Sequence, residues 1–281
     1  EIMSVRYFFW GFSFIFMVSF ILSFYMYWMG RPTQQVVYRR SEGNKIELTW
    51  QEAELLFIEF VSKKTYNCTA VEAVGSTSKS SYGEGIHLTC MDKTYQPKSQ
   101  CIVYSFGIAN IWNFEESLAG RGCQVFAFDP SMNTESHKRM ENLWFYNIGL
   151  GRVDSDNFTP RVDQYVKESK LFTWKVRTMK SIMEMLGHTN KMIDVLKMDI
   201  EGYEFDVISS MIDDGTIKQM RQYVGEWHIF GDQKYDYPTK YSIAKQLWSY
   251  GFKTFNAGVH PRCDKYCFQI DLGFVNTKLG K

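Results

Sequence analysis

The run Val195-Leu196-Lys197-Met198-Asp199-Ile200-Glu201-Gly202-Tyr203-Glu204-Phe205 places two carboxylates, Asp199 and Glu201, where an apolar strand gives way to a helix. Carboxylates at the carboxyl edge of an open α/β sheet can take a proton from a reacting hydroxyl, and that edge is where such sheets bind ligands. Acidic residues there also cap and charge-complement a helix N-terminus, so both readings stand at this point. Two more ionisable groups end the next predicted strand, in Gly225-Glu226-Trp227-His228. Neighbouring strand ends converge on one pocket, which makes Asp199, Glu201, Glu226 and His228 the candidate catalytic set. One of the carboxylates would accept the proton of a hydroxyl or, with His228, hold a divalent ion. No metal site is assigned from the sequence.

A second constellation lies upstream. An apolar run from Cys101 enters Ser105-Phe106-Gly107-Ile108-Ala109-Asn110, a turn of small residues ahead of a helix, and the following strand ends in Asp129. That spacing suits a nucleoside site, with the carboxylate accepting from ribose hydroxyls and the glycine leaving room for the ligand. The glycine patterns that cradle phosphates, G-x-G-x-x-G and G-x-x-x-x-G-K-[ST], are absent. S-adenosylmethionine carries no phosphate and tolerates a sparser turn, so it is the expected cofactor.

The elements that must position these groups follow from periodicity. Thr49-Trp50-Gln51-Glu52 reads as a capping box, with Trp50, Ala53, Phe57 and Phe60 on one helical face. Residues 63–100 read as loops and short strands. From Cys101 strands and helices alternate: strands at 101–106, 124–128, 143–148, 193–198, 222–227, 253–256 and 268–275, and helices from Ile111 to Leu118, Thr178 to Leu186, through Phe205, Ile208 and Met211, and Tyr241 to Tyr250. This predicts an α/β fold with a seven-stranded, mainly parallel Rossmann-like sheet and helices on both faces. A polar excursion between the third and fourth strands is assigned no element.

The 281 residues are 45% hydrophobic and balance 32 basic against 31 acidic side chains, which argues against bulk nucleic-acid binding. Tyr7 to Gly30 contains no charge. As a helix it would extend roughly 36 Å, enough to span a bilayer core, and Trp10, Tyr25, Tyr27 and Trp28 sit near its ends as interfacial anchors. The expected organisation is a short tail (1–6), a transmembrane anchor (7–30), a stem (31–48) and one catalytic body (49–281). Arg31, Arg39, Arg40 and Lys45 after the segment favour a cytosolic body by the positive-inside rule. Six cysteines and the sequon Asn67-Cys68-Thr69 favour the secretory lumen, which is the reading taken; Asn157-Phe158-Thr159 is a second sequon, weakened by Pro160. Cys68 with Cys90, and Cys263 with Cys267, are plausible pairs among the 15 connectivities that six cysteines allow, and buried free thiols are a common reading for Cys101 and Cys123 in core strands.

Three stretches, Ile102-Val103-Tyr104-Ser105-Phe106-Gly107, Cys123-Gln124-Val125-Phe126-Ala127-Phe128-Asp129-Pro130-Ser131 and Tyr146-Asn147-Ile148-Gly149-Leu150-Gly151, resemble the methyltransferase-like protein 24 family. Lys197-Met198-Asp199-Ile200-Glu201-Gly202-Tyr203-Glu204 is similar to the fourth-strand motif of the broader FkbM-type methyltransferases. The resemblance covers roughly residues 49–277 and implies a class I S-adenosylmethionine-dependent methyltransferase. By position it implies that Ser105, Phe106, Gly107 and Ala109 line the methionine end of the cofactor, Asp129 its ribose, and Asn147, Ile148 and Gly149 the adenine side. The chain departs from the common pattern at Ser105, where an acidic residue is usual, and at Ala109, where a second glycine is. The acceptor is not named by any motif; glycan or protein hydroxyls suit a lumenal site. Two alternatives remain at this stage: a type II membrane glycosyltransferase, whose acid-x-acid motif Asp199-Ile200-Glu201 mimics, and a methyltransferase-fold binding protein without activity.

Overall fold

A computed structural model describes residues 36–39, 45–76, 83–260 and 268–279. The anchor predicted at 7–30 and the Cys263–Cys267 pair lie outside them, and among the described residues no helix is long and apolar enough to cross a membrane. Contacts divide the chain into two units at Thr49/Trp50. In the first, β1 (Val36–Arg39) and β2 (Lys45–Leu48) pair antiparallel, so the stretch read as a stem contains a two-stranded ribbon.

The second unit begins with α1 (Trp50–Ser62), whose buried stripe is Ala53, Phe57 and Val61. A ribbon of β3 (Val71–Val74) and β4 (His87–Cys90) follows. The alternating βα region then supplies β5 (Ile102–Phe106), α2 (Asn113–Gly120), β6 (Gln124–Phe128), β7 (His137–Met140) and β8 (Leu143–Tyr146). The polar excursion holds β9 (Gly149–Leu150), β10 (Ser155–Phe158), α3 (Gln164–Ser169) and β11 (Trp174–Arg177). After it come α4 (Met179–Met185), β12 (Ile193–Met198), α5 (Glu204–Asp214), β13 (Met220–Ile229), α6 (Tyr237–Ser249), β14 (Phe252–Val259) and β15 (Phe268–Asn276).

The main sheet runs β14-β15-β13-β12-β5-β6-β8-β7. Its centre, from β13 to β8, is parallel, and β15, β14 and β7 are antiparallel additions at the two sides. All seven predicted strands are present, but the sheet has eight: β7, with every residue exposed, offers no apolar alternation by which sequence could reveal it. The central strands are covered on both faces, as parallel strands must be. On one face Val103, Val125, Val195, Val224 and Val275 join a core with Phe114 and Leu118 of α2 and Val74 and Cys90 of the ribbon. On the other, Trp227 packs its ring against Phe57 of α1, Phe205 of α5 and Phe274 of β15.

Cys68 is bonded to Cys90 as expected. Cys101 and Cys123 are not free thiols but form a second disulfide, because parallel pairing of β5 with β6 brings the residues preceding the two strands to a Cα separation of 4.5 Å. The excursion also corrects expectation. It folds into a small sheet of order β10-β11-β9, whose strand β10, Ser-Asp-Asn-Phe, is too polar to be read as a strand. The chain crosses from one half of the main sheet to the other between β5 and β12, the switch point at which such sheets bind ligands.

Candidate functional site

The β12–α5 turn is held by a residue to which the sequence reading gave no role. Glu204, fully buried, accepts hydrogen bonds from Ile200 N at 3.1 Å and Gly202 N at 3.0 Å, so it meets amides ahead of its own helix. The turn passes through left-handed backbone at Glu201 (φ 54°) and Gly202 (φ 93°), a conformation that strains a glutamate and that its surroundings must hold. With Glu204 serving the amides, the side chains of Asp199 and Glu201 line the clefts at the sheet edge instead of capping the helix.

His228, at the end of β13, stands among these acids. Its Nδ1 lies 3.2 Å from Glu204 Oε1 and its Nε2 3.4 Å from Glu226 Oε2, while Asp199 and Glu201 each place an oxygen 4.0 Å from the ring. Burial disfavours the imidazolium, yet Glu204 and Glu226 hydrogen-bonded to it, with Asp199 beyond, outweigh that and push His228 up to about 12. His228 is therefore a charged donor, not a proton acceptor. Burial raises the Asp199 carboxyl to about 7; Lys197 and His228 oppose the rise and Glu226 adds to it. Glu201 is likewise raised by burial. Glu226 moves the other way, because hydrogen bonds from His228 and Gln269 overcome its burial. Glu226 also faces Asp271 directly across the β13–β15 ladder, and His260 Nε2 lies 2.7 Å from Asp271 Oδ2. Asp199, Glu226 and His228 form one group of potential cation ligands within 4.8 Å of one another, and Glu226, His260 and Asp271 form another.

Two clefts meet here. The first is walled by Phe106, Phe128, Pro130, Leu150, Phe158, Trp174 and Val176, with Asp129, Asp163, Asp199 and Glu201 as its carboxylates. The second, strongly polar, contains Glu226, His228, His260 and Asp271. They share Gly107, Ala109, Tyr165, Asp199 and Glu201. The glycine at 107 lets the turns after β5 and β12 approach each other: at φ 72°, a Cβ there would stand 1.7 Å from the Asp199 carbonyl oxygen.

Of the residues expected at the cofactor, Phe106, Gly107, Ala109, Asp129 and Gly149 line the first cleft, whereas Ser105, Asn147 and Ile148 do not. Ser105 is fully buried and donates its hydroxyl to Glu115 of α2 at 2.5 Å. Ile148 is buried, and Asn147 is engaged through its backbone N–H with Ser136 Oγ. Asp129 is more deeply committed than its spacing implies. Oδ2 accepts from Ile108 N and Ala109 N at 3.0 and 2.9 Å, and Oδ1 from Ser131 N and Oγ at 2.8 and 2.6 Å. It clasps the β5 and β6 turns to each other at the mouth of the cleft. Sequence reading missed Phe158, Tyr165, Trp174, His260 and Asp271. The alternation in Trp174-Lys175-Val176 is a local signal for one wall, but His260 and Asp271 join Glu226 only through sheet pairing.

The lining of the first cleft tests the cofactor. Among the described residues it presents apolar and aromatic walls, four carboxylates and no Lys, Arg or His. That set is hostile to phosphates and suits an uncharged nucleoside joined to a cationic sulfonium, so S-adenosylmethionine fits. A doubly wound sheet with this site at its switch point is the framework of a nucleoside-binding α/β domain.

Residues 27–276 match the family described as a methyltransferase domain, and the chain belongs to that family: it carries an S-adenosylmethionine-dependent methyltransferase domain. It is similar to the probable methyltransferase-like protein 24 of Homo sapiens, 26% identical over 214 residues that make up 72% of this chain and 56% of the relative. The Rattus norvegicus protein of the same description is 28% identical over 182 residues, 60% of this chain and 47% of the relative. The chain thus spans about half the length of the curated relatives it matches. Among solved structures, a Methanococcus jannaschii fibrillarin pre-rRNA processing protein aligns with a TM-score of 0.34 at 10% identity, over 90% of this chain and 86% of that one. Aeropyrum pernix fibrillarin, in complex with natively bound S-adenosyl-L-methionine, aligns with a TM-score of 0.32 at 10% identity, over 88% and 85% of the two chains. At such scores the fold assignment stands on sheet order and family membership.

Proposed function

We propose that this protein is a membrane-anchored methyltransferase whose body lies in the secretory lumen and whose acceptor is a hydroxyl, on a glycan or a protein, bound in the polar cleft. The observation that carries the reading is the junction of the two clefts at Gly107, Ala109, Tyr165, Asp199 and Glu201. When bound, the cofactor supplies a methyl group on a sulfonium, and the remaining work is to orient an acceptor oxygen in line and remove its proton. Asp199 is the group suited to take that proton, since it stands at the junction and its carboxyl titrates near neutrality. His228 and Glu204 position it: the imidazolium, pinned by the buried glutamate, fixes the charge against which Asp199 and Glu226 are arrayed. Glu201 closes the turn on the same side.

The uncharged run 7–30 supports the anchor. Two disulfides and the exposed sequon residue Asn67 support the lumen, because disulfides persist in oxidising compartments and glycan acceptors must face solvent. The FkbM-type likeness of the Asp199 motif supports placing the chemistry at this turn.

Calorimetric titration of the full chain in detergent with S-adenosylmethionine tests the central claim. The wild type is expected to bind at micromolar concentrations, and Asp129→Ala, which releases the clasp at the cleft mouth, to bind roughly tenfold or more weakly with an unchanged circular dichroism spectrum. A wild type that takes up no ligand would overturn the reading.

A further inference from the structure

The end of β5 carries a serine where a carboxylate is usual, yet the structure brings a carboxylate to that point from elsewhere. Ser105, fully buried, donates its hydroxyl to Oε1 of Glu115, ten residues on in α2. Glu115 is itself 1% exposed, and its second oxygen, Oε2, has no hydrogen-bond partner. A buried carboxylate with an unmet oxygen is a costly arrangement for a protein to keep unless something completes it. Among the described residues no Lys, Arg or His lies within ion-pair distance of Glu115.

The place matters as much as the group. Glu115 lines the polar cleft together with Gly107, Ile108 and Ala109, the turn shared with or adjoining the apolar cleft. Lys197 lines the same stretch, and its ammonium is already donated to the carbonyl oxygens of Phe106 and Gly107. It is the only Lys or Arg among the described residues of that cleft. A ligand whose nucleoside fills the apolar cleft and passes the Gly107 turn would thus carry its remaining atoms toward the buried carboxylate of Glu115 and the buried ammonium of Lys197. An α-amino acid tail, with an ammonium and a carboxylate on one carbon, has the complementary charges.

We propose that Glu115 receives the α-ammonium group of the cofactor's amino-acid tail, doing from the helix what no residue at the end of β5 can do, with Lys197 facing the tail carboxylate. An ammonium brings three N–H donors and a positive charge, so it completes Oε2 with a charge-assisted bond. This rests on the reading of the apolar cleft as the nucleoside site, and the two separate experimentally.

The test compares S-adenosylmethionine with 5′-methylthioadenosine, which keeps the nucleoside and sulfur but lacks the amino-acid tail. Each is titrated calorimetrically into the full-length wild type and Glu115→Gln, which preserves size and an acceptor for Ser105. The expected result is that the variant binds S-adenosylmethionine roughly tenfold or more weakly while its affinity for 5′-methylthioadenosine stays within about twofold. Equal binding of S-adenosylmethionine by both proteins overturns the proposal. Parallel loss of both ligands also overturns it, since Glu115 would then be a support of the cleft. A wild type that binds 5′-methylthioadenosine no more weakly than S-adenosylmethionine removes the tail site while leaving the nucleoside site standing; a wild type that binds neither removes both.

Discussion

Asp199 shows how much a residue's meaning depends on its neighbours. By sequence it is an acid at a strand end, for which helix capping is as good a reading as chemistry. Glu204 takes the capping work from Asp199, because one fully buried carboxylate meets the turn amides and the nearby histidine together. A consequence can be measured without knowing the acceptor. The folded protein holds the Asp199 proton up to about pH 7, whereas the unfolded chain releases it near 3.8, so the folded state binds more protons across that window and loses stability as pH rises through it. Asp199→Asn is accordingly expected to be more stable than wild type at pH 8, by on the order of 1 kcal/mol after allowance for partial exposure, with the gap closing as pH falls toward 4. Denaturant titrations at the two pH values check this, and a gap that does not change with pH would remove Asp199 as the elevated acid. Binding of S-adenosylmethionine should be nearly unaffected.

At the scale of elements, the site exists because β12 is in register with β5 on one side and β13 on the other, Met198 standing opposite both Phe106 and Gly225. Gly225 lies so close to its neighbour that a Cβ would come within 1.9 Å of the Met198 carbonyl oxygen. Its φ of 147° is also one that L side chains seldom adopt. Gly225→Ala should therefore force β12 and β13 apart, costing about 3 kcal/mol and moving Glu226 and His228 away from Asp199. A thermal melt reads the first effect; an unchanged melting temperature would show that the two strands tolerate the separation. The helices and central strands were legible in the sequence because both faces of the sheet are buried and the helices carry one apolar stripe. The excursion 149–177 was not, since its strands are short, β10 is polar, and they acquire their identity by closing over the cleft with Phe158, Trp174 and Val176.

For the molecule as a whole, the two disulfides among the described residues bear on stability. Each closes a loop of 22 residues, and constraint of the unfolded chain over that length contributes about 3 kcal/mol apiece in the chain-entropy view. The Cys68–Cys90 bridge ties the β3–β4 ribbon to the loop that exposes Asn67. If the body is lumenal, the protein made in a secretory cell should lose apparent mass on treatment with an N-glycosidase, and Asn67→Gln should abolish most of that shift. A wild-type band insensitive to the enzyme would argue for the other side of the membrane.

The alternation of strand and helix from Cys101, the Gly107 turn, Asp129 at the end of its strand and the Asp199 motif were all determined by sequence, because each is a matter of local periodicity or of a single turn. The sequence also carried the family resemblance. Only the tertiary structure decided that Asp129 clasps two turns, that Glu115 stands at Ser105, that Cys101 pairs with Cys123, and that Glu204, His260 and Asp271 join the acids at the sheet edge. Those facts depend on contacts between residues far apart in the chain, in a mixed sheet whose neighbours are set by crossover and register, which no local pattern encodes.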